Sequence, residues 1–271
     1  MMRLKIKNID IYQKVTTVDA HTEGEPLRIV VDGYPEIPGD CMLGKRRYVR
    51  DNLDHLRRLL MFEPRGHADM YGALITEAVT DDGDFGILFM HNEGYSSMCG
   101  HGIIAAVTVA EQCGALVDKS DEFASDSIRC VKIDSPAGRI MAYVKNTDGK
   151  IDVSFDCVPS FVECTEQKVQ VPGLGEVIYD IAFGGAYYAY VDADRLGLSC
   201  TPDNLSRLID CGRKIKQAVS ECCPIKHPTQ SDLSFLYGTI FTSEKLSYQV
   251  HQEHTFWAMN PGTILPKLAK L

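Results

Sequence analysis

The sequence predicts an α+β protein rich in antiparallel sheet, and three observations carry that expectation. A short apolar run, Phe85-Gly86-Ile87-Leu88-Phe89-Met90-His91, is bounded by turn residues in the manner of a buried strand. Two extended runs, Arg139 to Val144 and Ile151 to Phe155, flank Asp148-Gly149, a pair suited to a tight hairpin turn. One stretch opening at Thr201-Pro202 spaces Leu205, Leu208, Ile209, Ile215 and Val219 along a helical face. With 271 residues and 45% hydrophobic content, the chain can supply the cores of two modest lobes or one large domain.

In chain order, Leu27, Ile29 and Val31 alternate as one face of a strand. Tyr48, Leu53, Leu56, Leu59 and Leu60 then form a helical stripe with arginines on the other face. After the strand at 85–91, a helix is expected from about Gly100 through Ile103, Ala106 and Ala110, closing at Cys113-Gly114 with Gly114 as its C′ residue. From Ile128 onward the pattern turns to hairpins, which reads as a second lobe. There Thr201 is the expected N-cap and Pro202 the first helical residue, with further strands at Glu176 to Phe183, Ala186 to Val191 and Phe235 to Phe241. No internal repeat or low-complexity linker interrupts this order.

A formal net charge of −9 argues against a nucleic-acid or anionic-membrane partner. No apolar run approaches the roughly 18 residues of a membrane span, and Met1 to Lys7 leads into no signal-peptide core, so the cytosol is the expected location. The 10 cysteines include no C-x-x-C pair, only the vicinal Cys222-Cys223. Zinc and disulfides therefore both fit poorly, and most of the thiols are read as reduced packing residues.

Cys99 stands apart because it falls where the strand at 85–91 gives way to the helix, within Ser96-Ser97-Met98-Cys99-Gly100-His101-Gly102. Backbone N–H groups and the positive end of the helix dipole point at such a position, favour thiolate, and lower the thiol pKa from about 8.5. The same N–H groups, at Gly100 and His101, can bind a substrate carboxylate, and Gly100 lets the anion approach without meeting a Cβ. A base beside a carboxylate site is the arrangement needed to remove an α proton, because the enediolate that forms is held by donors already in place. On these residues alone, a buried packing cysteine in a strand–helix turn remains the alternative.

Other motifs carry less. Asp19-Ala20-His21-Thr22-Glu23-Gly24-Glu25-Pro26 is a dense polar segment that reads as a loop or as one wall of a site. Arg65, in Phe62-Glu63-Pro64-Arg65-Gly66-His67, is explained by a helix-ending loop and is not counted as a site residue. Gly184-Gly185 reads as a turn between strands, and Ser96 and Ser97 as helix-capping residues without the flanks of a nucleophile elbow. The histidines of His251-Gln252-Glu253-His254 are three residues apart rather than four, which does not match a zinc-protease helix.

Several blocks resemble the proline racemase family, in its trans-3-hydroxy-L-proline dehydratase branch. They are His21-Thr22-Glu23-Gly24-Glu25-Pro26-Leu27-Arg28, Met61 to His67, Glu93 to His101, Gly184-Gly185-Ala186-Tyr187-Tyr188-Ala189 and Ser231 to Thr239, spanning roughly residues 16 to 246. The resemblance implies a diaminopimelate-epimerase-like fold of two lobes, each a curled sheet around a central helix, with substrate between the two helix N-termini. It implies that Cys99 accepts the α proton, that Gly100 and His101 bind substrate, and that no cofactor or metal takes part. The implied reaction on a small imino acid is loss of the α proton and then of the 3-hydroxyl, with the enamine tautomerising to pyrroline-2-carboxylate. A racemase or epimerase using Cys99 is the rival reading, a non-catalytic relic is another, and a homodimer is left open.

The family's second signature, Asp-Arg-Ser-Pro followed by Cys or Thr and Gly-x-Gly, has no counterpart between His251 and Leu271. The expectation is a first lobe at 1–128, an incomplete second lobe at 129–250 and an atypical tail at 251–271. Val153, Phe155, Ile178, Ile181, Phe235 and Leu236 are then expected to lack a packing partner, and activity to be impaired.

Overall fold

The computed structural model describes residues 13–116 and 128–243. Two sheets and a few helices make up an α+β architecture. Strands β1 (Thr16–Thr22), β2 (Glu25–Asp32), β3 (Tyr71–Thr76), β4 (Phe85–His91), β5 (Ile128–Ser135), β6 (Gly138–Thr147) and β7 (Lys150–Asp156) form a seven-stranded sheet in sequence order. Strands β8 (Phe161–Val171), β9 (Gly175–Phe183), β10 (Tyr187–Asp192) and β11 (Leu236–Thr242) form the second, ordered β11-β10-β9-β8. Helices α1 (Met42–Asn52) and α2 (Asp54–Met61) connect β2 to its parallel neighbour β3. Helix α3 (Gly100–Gln112) lies between the parallel pair β4 and β5, and α4 (Leu205–Cys222) between the parallel pair β10 and β11. Each parallel pairing thus has the helical crossover that parallel strands require.

Helix α3 packs against β1, β2, β3, β6 and β7, so it touches both edge strands of the seven-stranded sheet. A flat sheet could not do this; the sheet curls around the helix. Its inner face, with Leu27, Ile29, Ile87, Phe89, Ile133 and Ile140, meets Ile103, Ala106 and Val107. Its outer face, with Val30, Leu74, Leu88 and Met90, meets Val49, Leu56, Leu60 and Met61 of α1 and α2. Strand β4 is therefore apolar from Phe85 to Met90 because it is covered on both faces, which is why its sequence shows a continuous run up to His91. The same sandwiching changes β2: Val30 is buried under the helices, whereas Val31, expected on the inner face with Leu27 and Ile29, is 49% exposed near the strand end.

Three further expectations are revised. The polar segment at 19–26 is a hairpin rather than a loop, with Glu23 (φ 51°) and Gly24 (φ 95°) in left-handed conformations at its tip. The stripe at 48–60 is two helices that meet at Leu53, and its arginines do not all face water: Arg46 and Arg57 are buried. The hairpins from residue 128 extend the first sheet, so the sheets change between Asp156 and Phe161 rather than at 128/129.

That last point explains why the apolar residues expected to lack a partner have one. Phe155 on β7 is buried against α3, and Ile181 and Leu236 are buried in the four-stranded sheet beneath α4, whose inner face presents Leu208, Cys211, Ile215 and Val219. Val153, Ile178 and Phe235 are half-buried. At the start of that helix, Thr201 precedes a single 3-10 turn, Pro202–Asn204, and the α-helix proper begins at Leu205. Among the described residues, no helix is long and apolar enough to cross a membrane. The tail calls at 251–271, with His251 and His254, lie outside the described residues.

Candidate active site

Cys99 is the N-cap of α3, in extended conformation, and its sulfur accepts the Gly102 N–H at 3.3 Å. Of the three first-turn N–H groups, the Gly102 one is thereby used on sulfur, which leaves those of Gly100 and His101 to face forward from the helix start. Close packing requires glycine here: a Cβ on Gly102 would stand 2.7 Å from the Phe89 ring and 3.1 Å from the sulfur, and one on Gly100 3.3 Å from Phe155. Cys99 and His101 are also direct neighbours, with Sγ 3.3 Å from Nδ1 and 3.7 Å from Nε2. The spacing explains the pair, because an N-cap side chain and the second helical residue can both turn toward the helix mouth.

The segment entering this helix is held at several points. Arg57 donates to the carbonyls of His91 (2.7 Å) and Asn92 (2.6 Å), and Arg46 to that of Tyr95 (2.5 Å). Asn92 in turn donates to the carbonyls of Met61 and His67. Ser96 and Ser97 do not cap the helix as expected. Ser96 hydrogen-bonds the Tyr71 hydroxyl, and Ser97 donates to the Gly185 carbonyl at 2.5 Å. Gly185, at φ 97°, lies so close to Met98 that a Cβ would come within 2.7 Å of it. The Gly184-Gly185 turn between β9 and β10 is therefore also where the second sheet meets the cysteine segment.

The hairpin at 19–26 forms another wall: Thr22 Oγ1 donates to the His101 carbonyl at 3.0 Å, and Glu25 lies close enough to bias the His101 ring toward its cation. Arg65 has a structural task, donating to the Leu59 carbonyl while its own carbonyl accepts from Arg28.

Sequence reasoning missed a group of aromatic side chains around the thiol. Tyr71 from β3 stacks on His91 (ring centroids 5.7 Å apart) and meets His101 edge-on at 5.1 Å. Tyr237 from β11 meets His91 at 5.8 Å and Tyr188 from β10 at 5.4 Å. Two of these tyrosines lie inside blocks already singled out, 184–189 and 231–239, but nothing local says which of the aromatic residues there turn toward Cys99. His91, His101, Tyr71, Tyr188 and Tyr237 are half-buried and surround a sulfur whose residue is only 7% exposed.

Burial sets the electrostatics. It drives the Cys99 thiol up to about 12, against hydrogen bonds from Gly102 and Tyr71 that pull the other way. Burial thus works against the thiolate expected from the helix start, and loss of water is the larger influence of the two. Burial likewise pushes His91 down to about 4 and lowers His101, so both rings are neutral near pH 7, and it raises the phenols of Tyr71 and Tyr188 well above their usual range. Alkylation by iodoacetamide at pH 7.5 is therefore expected to reach the exposed Cys41 and Cys113 before Cys99, with the Cys99 rate climbing through pH 10. Peptide mapping of partly labelled protein checks this; first labelling at Cys99 would mean that the thiol is ionised.

A cavity of about 660 Å³ lies away from Cys99, lined by Ile29, Ile75, Phe85, Ala106, Val109 and Val131 among others. Its lining also includes Asp84, Arg129, Cys113 and Cys130 but not Cys99, Gly100 or His101, so it is separate from the helix mouth where the thiol, the imidazole and the free N–H groups meet.

Comparison with known proteins shows the family. The pattern that defines the proline racemase family matches residues 17–264, beyond the limit of 246 drawn from the blocks alone. The chain is 50% identical over 245 residues to trans-3-hydroxy-L-proline dehydratase of Colwellia psychrerythraea, covering 90% of this chain and 67% of the relative. It is 47% identical over 236 residues to the Homo sapiens protein of the same name, covering 86% and 66%. A crystal structure of a hydroxyproline epimerase from Agrobacterium vitis, with bound trans-4-OH-L-proline, superposes with a TM-score of 0.77 at 26% identity, over 84% of this chain and 66% of that one. The chain spans about two thirds of the length of these relatives.

Proposed function

Because the chain belongs to the proline racemase family, we propose that it dehydrates trans-3-hydroxy-L-proline to pyrroline-2-carboxylate with Cys99 as the base. The observation that carries this reading is the sulfur at the mouth of α3, 3.3 Å from a neutral imidazole and beside the N–H groups of Gly100 and His101. Dehydratase is preferred over racemase because the relatives at 47% and 50% identity bear the dehydratase name.

The substrate carboxylate sits on the Gly100 and His101 N–H groups, where the helix dipole favours an anion. The thiol has to ionise first. His101 is the acceptor within reach of its proton, and the ring ammonium of the substrate brings a positive charge that favours thiolate. The thiolate then takes the α proton, forming S–H. The electron pair left on C2 is delocalised onto the carboxylate oxygens and stabilised by the same N–H groups. Collapse of the enediolate forms C2=C3 and breaks the C3–O bond, releasing the hydroxyl as water once protonated. The enamine moves a proton from nitrogen to C3 and becomes the cyclic imine. No cofactor is called for in these steps.

The test is incubation in D2O with trans-3-hydroxy-L-proline, L-proline and 4-hydroxyproline in turn, followed by proton NMR. Pyrroline-2-carboxylate is expected from the first, without inversion of the others. Inversion with the ring hydroxyl retained would make the chain a racemase or epimerase, and no change in any of the three would make it a non-catalytic relative.

A further inference from the structure

Resting on the dehydration just proposed, the stereochemistry of the substrate places a demand on this site. In trans-3-hydroxy-L-proline the 3-hydroxyl lies across the ring from the carboxylate. The α hydrogen also lies across from the carboxylate, so hydrogen and hydroxyl share one face. A base that takes the hydrogen from that face has the leaving hydroxyl on its own side. The proton needed for departure as water must come from a group beside Cys99.

The candidates there are His101, Ser96, His91 and three tyrosines, of which Tyr237 packs on His91 and Tyr188 while Tyr71 packs on His101. His101, with its ring 3.3 Å from the sulfur, takes the thiol proton, and keeping that proton on the ring is what holds the sulfur as thiolate from one turnover to the next. Ser96 is fully buried behind Tyr71, and the Nδ1 of His91 accepts the Glu93 N–H. Tyr71 differs in its place: its ring is edge-on to His101 at 5.1 Å, its hydroxyl hydrogen-bonds Ser96, and it stands close enough to the thiol to favour the thiolate. We propose that Tyr71 is the acid that protonates the leaving 3-hydroxyl.

The step balances without an outside reagent. Cys99 thiolate takes the α hydrogen and becomes a thiol. The C3–O bond breaks as C2=C3 forms, and the Tyr71 O–H gives its proton to the departing oxygen, which leaves as water. The thiol then returns its proton to the Tyr71 phenolate beside it, restoring both groups. Burial keeps the phenol protonated at neutral pH, so it is loaded when substrate binds, and hydroxide is a stronger base than any phenolate.

Tyr71→Phe tests this, because it removes one oxygen and keeps the ring that packs on His91 and His101. In D2O, loss of water from trans-3-hydroxy-L-proline is expected to fall by about a hundredfold or more, and exchange of its α hydrogen by a factor at least about tenfold smaller, set by the loss of the phenol that favours the thiolate. With trans-3-chloro-L-proline, whose chloride departs without a proton, elimination by the variant is expected to fall only by the smaller factor seen in exchange. A parallel fall of exchange and dehydration, or an equal loss on the chloro substrate, would overturn the assignment and leave Tyr71 a packing residue. A wild-type chain that neither exchanges nor dehydrates would refute the proposed function, and the role of Tyr71 with it; the two failures are read from different proteins.

Discussion

Cys99→Ser is expected to lower α-hydrogen exchange by about a thousandfold or more, because a serine hydroxyl is a far weaker base than a thiolate in the same position. The fold should survive. Serine is among the preferred N-cap residues, so its oxygen can take over the Gly102 N–H that the sulfur now accepts, and the change in stability should stay within about 1 kcal/mol. Proton NMR of trans-3-hydroxy-L-proline in D2O reads the first quantity and urea denaturation the second. Exchange that persists in the variant would move the role of base to His101, the other proton acceptor at the helix mouth.

Arg57→Ala is expected to cost about 3–5 kcal/mol, a large share of the roughly 5–15 kcal/mol that holds a typical domain together. The guanidinium is buried, forms a two-pronged pair with Asp54 (2.6 and 3.0 Å), and donates to the carbonyls of His91 and Asn92. Its removal takes the guanidinium donor from both carbonyls, leaving that of His91 with the Gly94 N–H at 3.3 Å, and opens space beside Tyr95 and Phe62, over whose rings it lies. Lysine should not rescue it, since one ammonium cannot reproduce the planar fork. The midpoint of urea unfolding is the measurement, with the slope unchanged. A shift worth less than about 1 kcal/mol would show that the 91–94 turn is held mainly by Asn92.

Much of the fold was legible because it is written in local patterns. The strand at 85–91, the hairpin around Asp148-Gly149 and the helix ending at Gly114 each rest on periodicity or a left-handed turn residue, and all three stand as read. Strands β1, β3 and β8 were missed: β1 and β8 because their residues are largely polar and half-exposed or exposed, so the alternation that marks a strand is faint, and β3 because its six residues, one of them glycine, are too few to show a period. In β8 two irregularities, near Cys164 and Gln167, disrupt the alternation further. Arg46 and Arg57 were assigned to water because charge alone says so, while the carbonyls that bury them come from a turn some 35 to 49 residues away.

The site divides in the same way. That Cys99 caps a helix, between glycines and two residues before a histidine, follows from the sequence by itself, since capping depends on neighbours within one turn. The charge state of its thiol, and the tyrosines that face it, were decided by tertiary structure alone. Desolvation is the sum of what packs over the sulfur, and that cover comes from β3, β4, β10 and β11, elements the chain brings together only on folding. The local influence, the Gly102 N–H at the helix start, favours thiolate; the distant one, loss of water, is larger and favours the thiol.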